Sequence, residues 1–267
     1  DSGTESVPEF TGVNEGDVPI NATIEVIPSF EENGIACSGD PINFIITINP
    51  DAQVNEIDDL VYNDGDLVQI PFSSSNSGGT TTYEWTSTDP STGMESSGSG
   101  NIEFIATNTG NSPIVTTVTV IPSFENGGIN NDGNPETFTV TVNPAPQVEF
   151  LQNINICAGD EINDINFSTL NTGGTTTYEW TNDNTAIGLS ASGTGDILSF
   201  TATNNTISAL IAIIEVTPTY ENGGISNTGN PETFTITVNP GAQVDSVADQ
   251  VLCVGEPTND ILFTSTN

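Results

Sequence analysis

The chain has 267 residues, of which 36 are acidic and none is Lys, Arg or His, giving a formal charge of −36. An average chain of this length carries on the order of thirty basic residues. Nucleic acid is thereby excluded as a partner, because phosphate binding rests on Lys and Arg, and anionic membrane surfaces are excluded on the same ground.

Self-repulsion favours an extended, soluble array, divalent cations are the natural counter-charge, and trypsin has no site to cut. Three Cys are too few for a disulfide scaffold. No run approaches the ~18 apolar residues of a membrane span, and Asp1 opens no signal-peptide pattern. This predicts no membrane insertion within the sequence.

The chain repeats itself. Gly78-Gly79-Thr80-Thr81-Thr82-Tyr83-Glu84-Trp85-Thr86 recurs unchanged as Gly173 to Thr181. One full copy spans 51–144 and a second 145–240, each opening near Gln-Val (Gln53-Val54, Gln147-Val148) and closing on Asn-Pro. Residues 1–50 match the second half of a copy and 241–267 the first half, so the sequence reads as opening inside one copy and closing inside another. One-residue slips near 66–72 and between Trp85 and Phe104 are expected in loops.

In chain order, residues 1–50 read as three strands. Ile20, Ala22, Ile24 and Val26 alternate with polar residues at the period of a half-buried strand, as do Phe44, Ile46 and Ile48. In the first full copy, Val54 and Leu60 precede a turn at Asn63-Asp64-Gly65-Asp66. Ile70 and Phe72 share a face, as do Tyr83 and Trp85, with Glu84 opposite. Residues 87–100 read as loop or weak strand.

Ile102, Phe104 and Ala106 face inward, followed by Ile114, Thr116, Val118 and Val120, and then by Phe138, Val140 and Val142. SFENGGINNDGNP reads as a turn-dense connection between the last two strands. The second copy repeats this with Tyr178, Trp180, Leu198, Phe200 and Ala202, then Leu210, Ala212, Ile214 and Val216, then Phe234, Ile236 and Val238. No helical period occurs, and Thr, Val and Ile suit pleated strands. About seven short strands per hundred residues with one mid-copy Trp predict an all-β chain of tandem immunoglobulin-like β-sandwiches with Trp85 and Trp180 in their cores. Each copy is long enough to bury a core of its own.

At GGTTTYEWT, SGTGDILSFTATN and NPETFTITVNP the chain resembles the PKD-like, immunoglobulin-like repeats of giant Bacteroidota surface proteins, in particular SprB-type gliding-motility adhesins exported by type IX secretion. The resemblance covers nearly the whole sequence. It implies an extracellular cell-surface protein, anchored in the outer membrane through another part of a parent chain, with secretion or motility machinery among its partners. Two departures stand out. The family pattern implies Lys where Glu136 and Glu232 stand, and two Cys per repeat.

Here Cys157 and Cys253 hold the early cysteine position and Cys37 the late one, while the first full copy has Asn63 and Asn131. Loss of both members together implies that the family's pair lies within a repeat. Cys157 then faces Asn227, which predicts a free or buried thiol and no disulfide within this sequence.

Without His or Lys, general-base work would fall to Asp, Glu, Tyr or Cys, and a carboxylate pair could serve a glycosidase. The acids instead occupy turns and outward strand positions such as Glu84, Glu179 and Glu215, so no catalytic residue is assigned and no enzyme is expected. Oxygen ligands suit Ca²⁺: Glu56, Asp58 and Asp59 lie near the copy junction, Asp64 and Asp66 follow, Asp249 matches Asp59 and Asp160 matches Asp66. Asn153 breaks the first series and no DxDxDG loop is present. Weak Ca²⁺ at repeat junctions and solvated acidic turns are both open readings.

Asn21-Ala22-Thr23, Asn166-Phe167-Ser168 and Asn204-Asn205-Thr206 fit the N-glycan acceptor pattern. Asp245-Ser246-Val247 resembles a bacterial O-glycan acceptor. The sequence thus predicts a protease-resistant stalk that offers multivalent contact to an extracellular surface or polysaccharide, with neighbouring repeats as its nearest partners. The alternative is a filament subunit, in which residues 241–267 of one chain help complete residues 1–50 of its neighbour by strand addition. A carbohydrate-binding module would need exposed Trp.

Overall fold

A computed structural model describes residues 5–266 and is all-β, as the strand period predicts. By internal contacts the chain divides into two compact units, 5–108 with 114–142 and 109–113 with 143–266. The first unit opens with β1 (Ile20–Val26), the hairpin β2 (Ser29–Glu32) and β3 (Ile35–Ser38), and β4 (Ile42–Ile48). It continues with β5 (Leu60–Asn63), β6 (Leu67–Ile70), β7 (Thr80–Ser87), β8 (Ser97–Ser99) and β9 (Ile102–Ile105). Then come β10 (Ile114–Asn126), β11 (Ile129–Asp132) and β12 (Glu136–Asn143). The second copy has β13 (Ile154–Cys157), β14 (Glu161–Ile162), β15 (Thr175–Asn182), β16 (Ser192–Thr194) and β17 (Phe200–Thr201). It closes with β18 (Leu210–Asn222), β19 (Ile225–Thr228) and β20 (Glu232–Asn239).

Each full copy is a two-layer sandwich. The larger sheet runs β5-β12-β10-β7-β8 in the first copy and β13-β20-β18-β15-β16 in the second, and the facing layer is β6-β9 or β14-β17. In the second copy the first and last strands pair in parallel, Cys157 opposite Asn239. Alternation sends one side of every strand into the space between layers. Val118, Val120, Phe138, Val140 and Val142 fill it in the first copy, and Ile214, Val216, Phe234, Ile236 and Val238 in the second.

Trp85 and Trp180 are 8% and 7% exposed, in the core as expected. A glycine closes over each ring: a Cβ on Gly98 would come within 2.3 Å of the Trp85 ring, and one on Gly193 equally close to Trp180. Both indole N–H groups lack a hydrogen-bond partner, so these rings stabilise through contact area alone. Phe72 against Tyr83, and Phe167 against Tyr178, extend the core with ring centroids 5.5 Å apart.

The structure departs from the sequence reading in four places. The turn-dense connection is a continuation of strand. β10 and β18 run 13 residues each, turn at Gly127-Gly128 or Gly223-Gly224 with positive φ, and return as β11 or β19. Gly supplies this left-handed backbone without steric cost.

The one-residue slips are not in loops either. In the first copy β6 and β9 pair without a break, from Leu67 with Ile105 to Ile70 with Ile102. In the second copy pairing lapses after Ile162 with Phe200 and resumes at Ile165 with Ile197. Asn163-Asp164 and Leu198-Ser199 fill the gap, one extra residue in each strand, and the Ser199 amide donates to Asp164 Oδ1 at 2.6 Å. Two facing insertions leave the flanking registers in phase. Because an inserted residue reverses the alternation, Leu198 is 74% exposed and not inward, and Ile197 takes the core position.

Residues 1–50 hold four strands where three were expected, and β1 pairs antiparallel with β4. No second layer faces this pair among the described residues, so Ile20 and Phe44 are exposed and not half-buried. Residues 241–266 contain no strand.

Truncating Trp180 to Ala removes the centre of the second core. The expected loss is about 3–5 kcal/mol, read in a thermal or denaturant melt of the chain. An unchanged transition would show that the ring is not a core element.

Candidate functional site: a recurring joint

The twice-printed motif begins Gly-Gly, and both glycines are held by close contacts. A Cβ on Gly79 would meet the Phe124 ring and the Glu125 carbonyl, each at 2.4 Å. One on Gly174 would meet the Tyr220 ring at 2.6 Å and the Glu221 carbonyl at 2.5 Å. The fully buried aromatic near the end of the long strand is thus seated against backbone, and Tyr220 also donates from its hydroxyl to the Thr172 carbonyl at 2.8 Å.

The first glycine receives the preceding segment. Within the first unit, Pro19 packs on Gly78, where a Cβ would lie 2.9 Å away, and the Ser77 amide donates to the Asp17 carbonyl at 2.9 Å. Within the second unit, Pro113 packs on Gly173, where a Cβ would lie 2.7 Å away, and the Thr172 amide donates to the Asn111 carbonyl at 2.7 Å. Gly78 and Gly173 also have φ of 79° and 82°, a region other residues rarely adopt.

A second set of bonds completes the arrangement. Asn49 Nδ2 donates to the Asn126 carbonyl at 3.1 Å, and Asn126 Nδ2 returns a bond to Asn49 Oδ1 at 2.9 Å. Asn143 and Asn222 do the same at 3.2 and 2.8 Å. The first Asn precedes the closing Pro of a copy, and the second ends the long strand of the next. Asn131 Nδ2 adds bonds to the Pro50 carbonyl at 3.2 Å and to Asp51 Oδ1 at 3.1 Å. Each full copy therefore meets the chain before it through proline on glycine, a backbone bond and a reciprocal amide pair. None of this was read from sequence, although the recurrence of Asn-Pro and Asn-Gly-Gly in step was the available signal.

The acidic residues proposed for Ca²⁺ are used locally. Asp59 Oδ1 accepts from the Thr139 amide at 2.7 Å, Asp64 Oδ1 from Asn108 at 2.7 Å, and Asp66 Oδ2 from Asn63 at 2.8 Å. Asn153 fills the place of Asp59 and accepts from the Thr235 amide at 2.8 Å. The exchange recurs at other matched positions. Asn101 and Asp196 accept from Phe72 and Phe167, and Asp89 and Asn184 accept from Ser91 and Ala186. An oxygen acceptor for a backbone N–H is what these positions share; the charge is optional.

The Thr139 amide holds the Asp59 carboxyl below the usual carboxylate range, and the Ser91 side chain and amide do so for Asp89. Glu56 and Asp58 are exposed, as are Asp160 and Asp249. No group of three or more His, Cys, Asp or Glu side chains gathers among the described residues.

The remaining candidates are placed as follows. Glu84, Glu179 and Glu215 point outward, as expected. Cys37, Cys157 and Cys253 are free thiols and exposed, so Cys157 is not buried. Asn204 is 8% exposed and its Nδ2 donates to the Ser208 and Val238 carbonyls at 2.8 Å, which leaves no amide for a glycan. Asn21, Asn166 and Ser246 are exposed. Neither Trp offers a face to a sugar.

No model of a known protein family matches the chain, and no curated protein matches it. Solved structures resemble it in outline. Human mucin-like protocadherin EC1-2 is 11% identical with a TM-score of 0.35, covering 71% of this chain and 98% of that one. Titin domains I67–I69 are 7% identical with a TM-score of 0.33, covering 83% and 88%. The insect immune protein hemolin is 13% identical with a TM-score of 0.30 over 81% of this chain, which spans about half, 56%, of the hemolin chain. Likeness at this level carries no statement about function.

Because Asn153 already performs the task of Asp59, Asp59→Asn should leave a melt near neutral pH almost unchanged. A depressed folded pKa gives stability that is present above the unfolded value and lost as pH falls through the folded one. The variant should therefore lose less stability than the wild type on acidification through and below the usual Asp range. Parallel loss in both would remove the carboxylate from this account. Melting temperatures in EDTA and in millimolar Ca²⁺ should coincide, and a rise in Ca²⁺ would restore the metal reading.

Proposed function

We propose that this chain is a non-catalytic stretch of a large extracellular cell-surface protein, a jointed stalk of sandwich repeats that resists proteolysis and makes multivalent contact with a substratum. The observation that carries this reading is the joint, built twice from the same residues: Pro19 and Pro113 on Gly78 and Gly173, with Asn49 and Asn143 clasping Asn126 and Asn222. A single binding domain has no need of a repeated connector, and a stalk does. On this reading 51–144 and 145–240 are its complete repeats, with 1–50 and 241–267 as parts of further ones.

The absence of Lys and Arg supports an exposed role, since trypsin-like proteases find no bond to cut. Self-repulsion from the charge of −36 keeps neighbouring stalks apart. The finer assignment, to outer-membrane-anchored gliding-motility adhesins exported by type IX secretion, is supported by the motif likeness alone. A second reading, a filament subunit completed by strand exchange, is favoured by the uncovered apolar residues Ile20, Ile42 and Phe44 on β1 and β4.

Beads carrying the chain at rising density, over a neutral polysaccharide film such as agarose, test the proposal. Retention should rise far more steeply than density, by tenfold or more once several chains engage together. Retention independent of density, or none at any density, would contradict the contact role. Sedimentation of the free chain separates the second reading: species that grow with concentration would put the filament first.

A further inference from the structure

Three Asn-Gly sequences occur in the chain, at Asn33-Gly34, Asn126-Gly127 and Asn222-Gly223. Asparagine is thermally labile, and most of all before glycine, where no side chain hinders the following nitrogen. That nitrogen attacks Cγ of the Asn side chain. A cyclic imide forms as the Cγ–Nδ2 bond breaks, and ammonia leaves with the nitrogen's proton. Water then opens the ring at either carbonyl, leaving Asp or its β-linked isomer.

The structure treats the three sites differently. Asn33 is exposed in the turn between β2 and β3, with φ of 50°, and its side chain has no hydrogen-bond partner among the described residues. Asn126 and Asn222 are half-buried at the ends of β10 and β18, opposite Ile129 and Ile225, so the glycines after them form the exposed turns. The nitrogen that would leave as ammonia is the one the joint holds. Asn126 Nδ2 donates to Asn49 Oδ1 at 2.9 Å, and Asn222 Nδ2 to Asn143 Oδ1 at 2.8 Å.

The facing Asn also donates to the carbonyl of the same residue, at 3.1 Å for Asn126 and 3.2 Å for Asn222. Side chain and peptide are thus pinned by one partner, and attack requires the side chain to swing off it toward the next nitrogen. Each clasp lies inside a single compact unit, 49 with 126 and 143 with 222.

We propose that Asn126 and Asn222 are deamidation sites guarded by the joints they close. A clasped amide is protected, and conversion proceeds at a rate set by the fraction of time the clasp is open. The product cannot clasp again in the same way. An ionised Asp only accepts, so at position 126 it sets a carboxylate oxygen against Asn49 Oδ1, which accepted the lost bond. The β-linked isomer adds a backbone carbon where Asn126 faces Ile129. Deamidation is irreversible, so a joint that opens often ends loosened. The inference rests on the joint geometry and not on the adhesive reading.

The test incubates the whole chain in mildly alkaline buffer, folded and in urea, and follows peptide masses after cleavage at acidic residues. A gain of about one dalton marks each conversion of amide to acid. In urea the three sites should convert at similar rates. In the folded chain Asn126 and Asn222 should slow by on the order of tenfold or more, and Asn33 far less. Asn49→Ala should return Asn126 toward its rate in urea and leave Asn222 unchanged, and Asn143→Ala should do the reverse. The two variants are reciprocal, so loss of fold in one leaves the other to decide. Asn126→Asp, the product itself, should lower the melting temperature of its unit by about 4 °C or more. Equal rates for Asn126 and Asn222 folded and in urea would overturn the proposal. So would rates unmoved by either Ala variant, or an unchanged melt for Asn126→Asp.

Discussion

Both full copies depend on a strand longer than the sandwich it belongs to. Ile114 to Val120 of β10 pair with β12, Val118 to Glu125 pair with β7, and Ser123 to Asn126 turn back on β11. One segment thus places Val120 beside Trp85 in the core, seats Phe124 on Gly79, and brings Asn126 to Asn49. β18 does the same with Trp180, Tyr220 and Asn222. Core and joint are therefore not separable features: the strand that fills the sandwich is also the strand that reaches the preceding segment.

That coupling accounts for the glycines and the Trp of the nine residues that recur without change. Trp85 and Trp180 need the small Gly98 and Gly193 against them, and Gly79 and Gly174 admit an aromatic ring where any side chain would collide. Gly78 and Gly173 combine a left-handed backbone with a proline at contact distance. At its glycines and its Trp the segment meets the core and the preceding chain, while Thr80, Thr82, Glu84 and Thr86 are exposed. Elsewhere a single face is constrained, and the copies differ freely, as Asp and Asn do wherever the task is only to accept a backbone N–H.

The strand period made most of the sandwich legible, because alternation is a direct consequence of burying one side of a sheet. It could not place Leu198, since that residue stands in one of two facing insertions and its orientation depends on the partner strand. Phe124 and Tyr220 were missed as core residues because the Asn-Gly-Gly beyond them reads as loop, and a hairpin that continues a strand carries the same residues. The acidic residues were legible only as charge. Composition shows charge but not direction, and Asp59, Asp64 and Asp66 face amides of their own copy. The joint was invisible in a single copy and showed only as a recurrence of Asn-Pro and Asn-Gly-Gly in step.

The central claim is that each full copy folds as a sandwich of its own and holds the short segments that precede it by the same contacts in both units. Pulling single chains by their ends with a force probe tests it directly. Two separate unfolding events are expected, each releasing on the order of 250–300 Å of chain, as roughly eighty structured residues extend at about 3.5 Å each. One event releasing the whole length at once, or extension with no resolved event, would contradict the account.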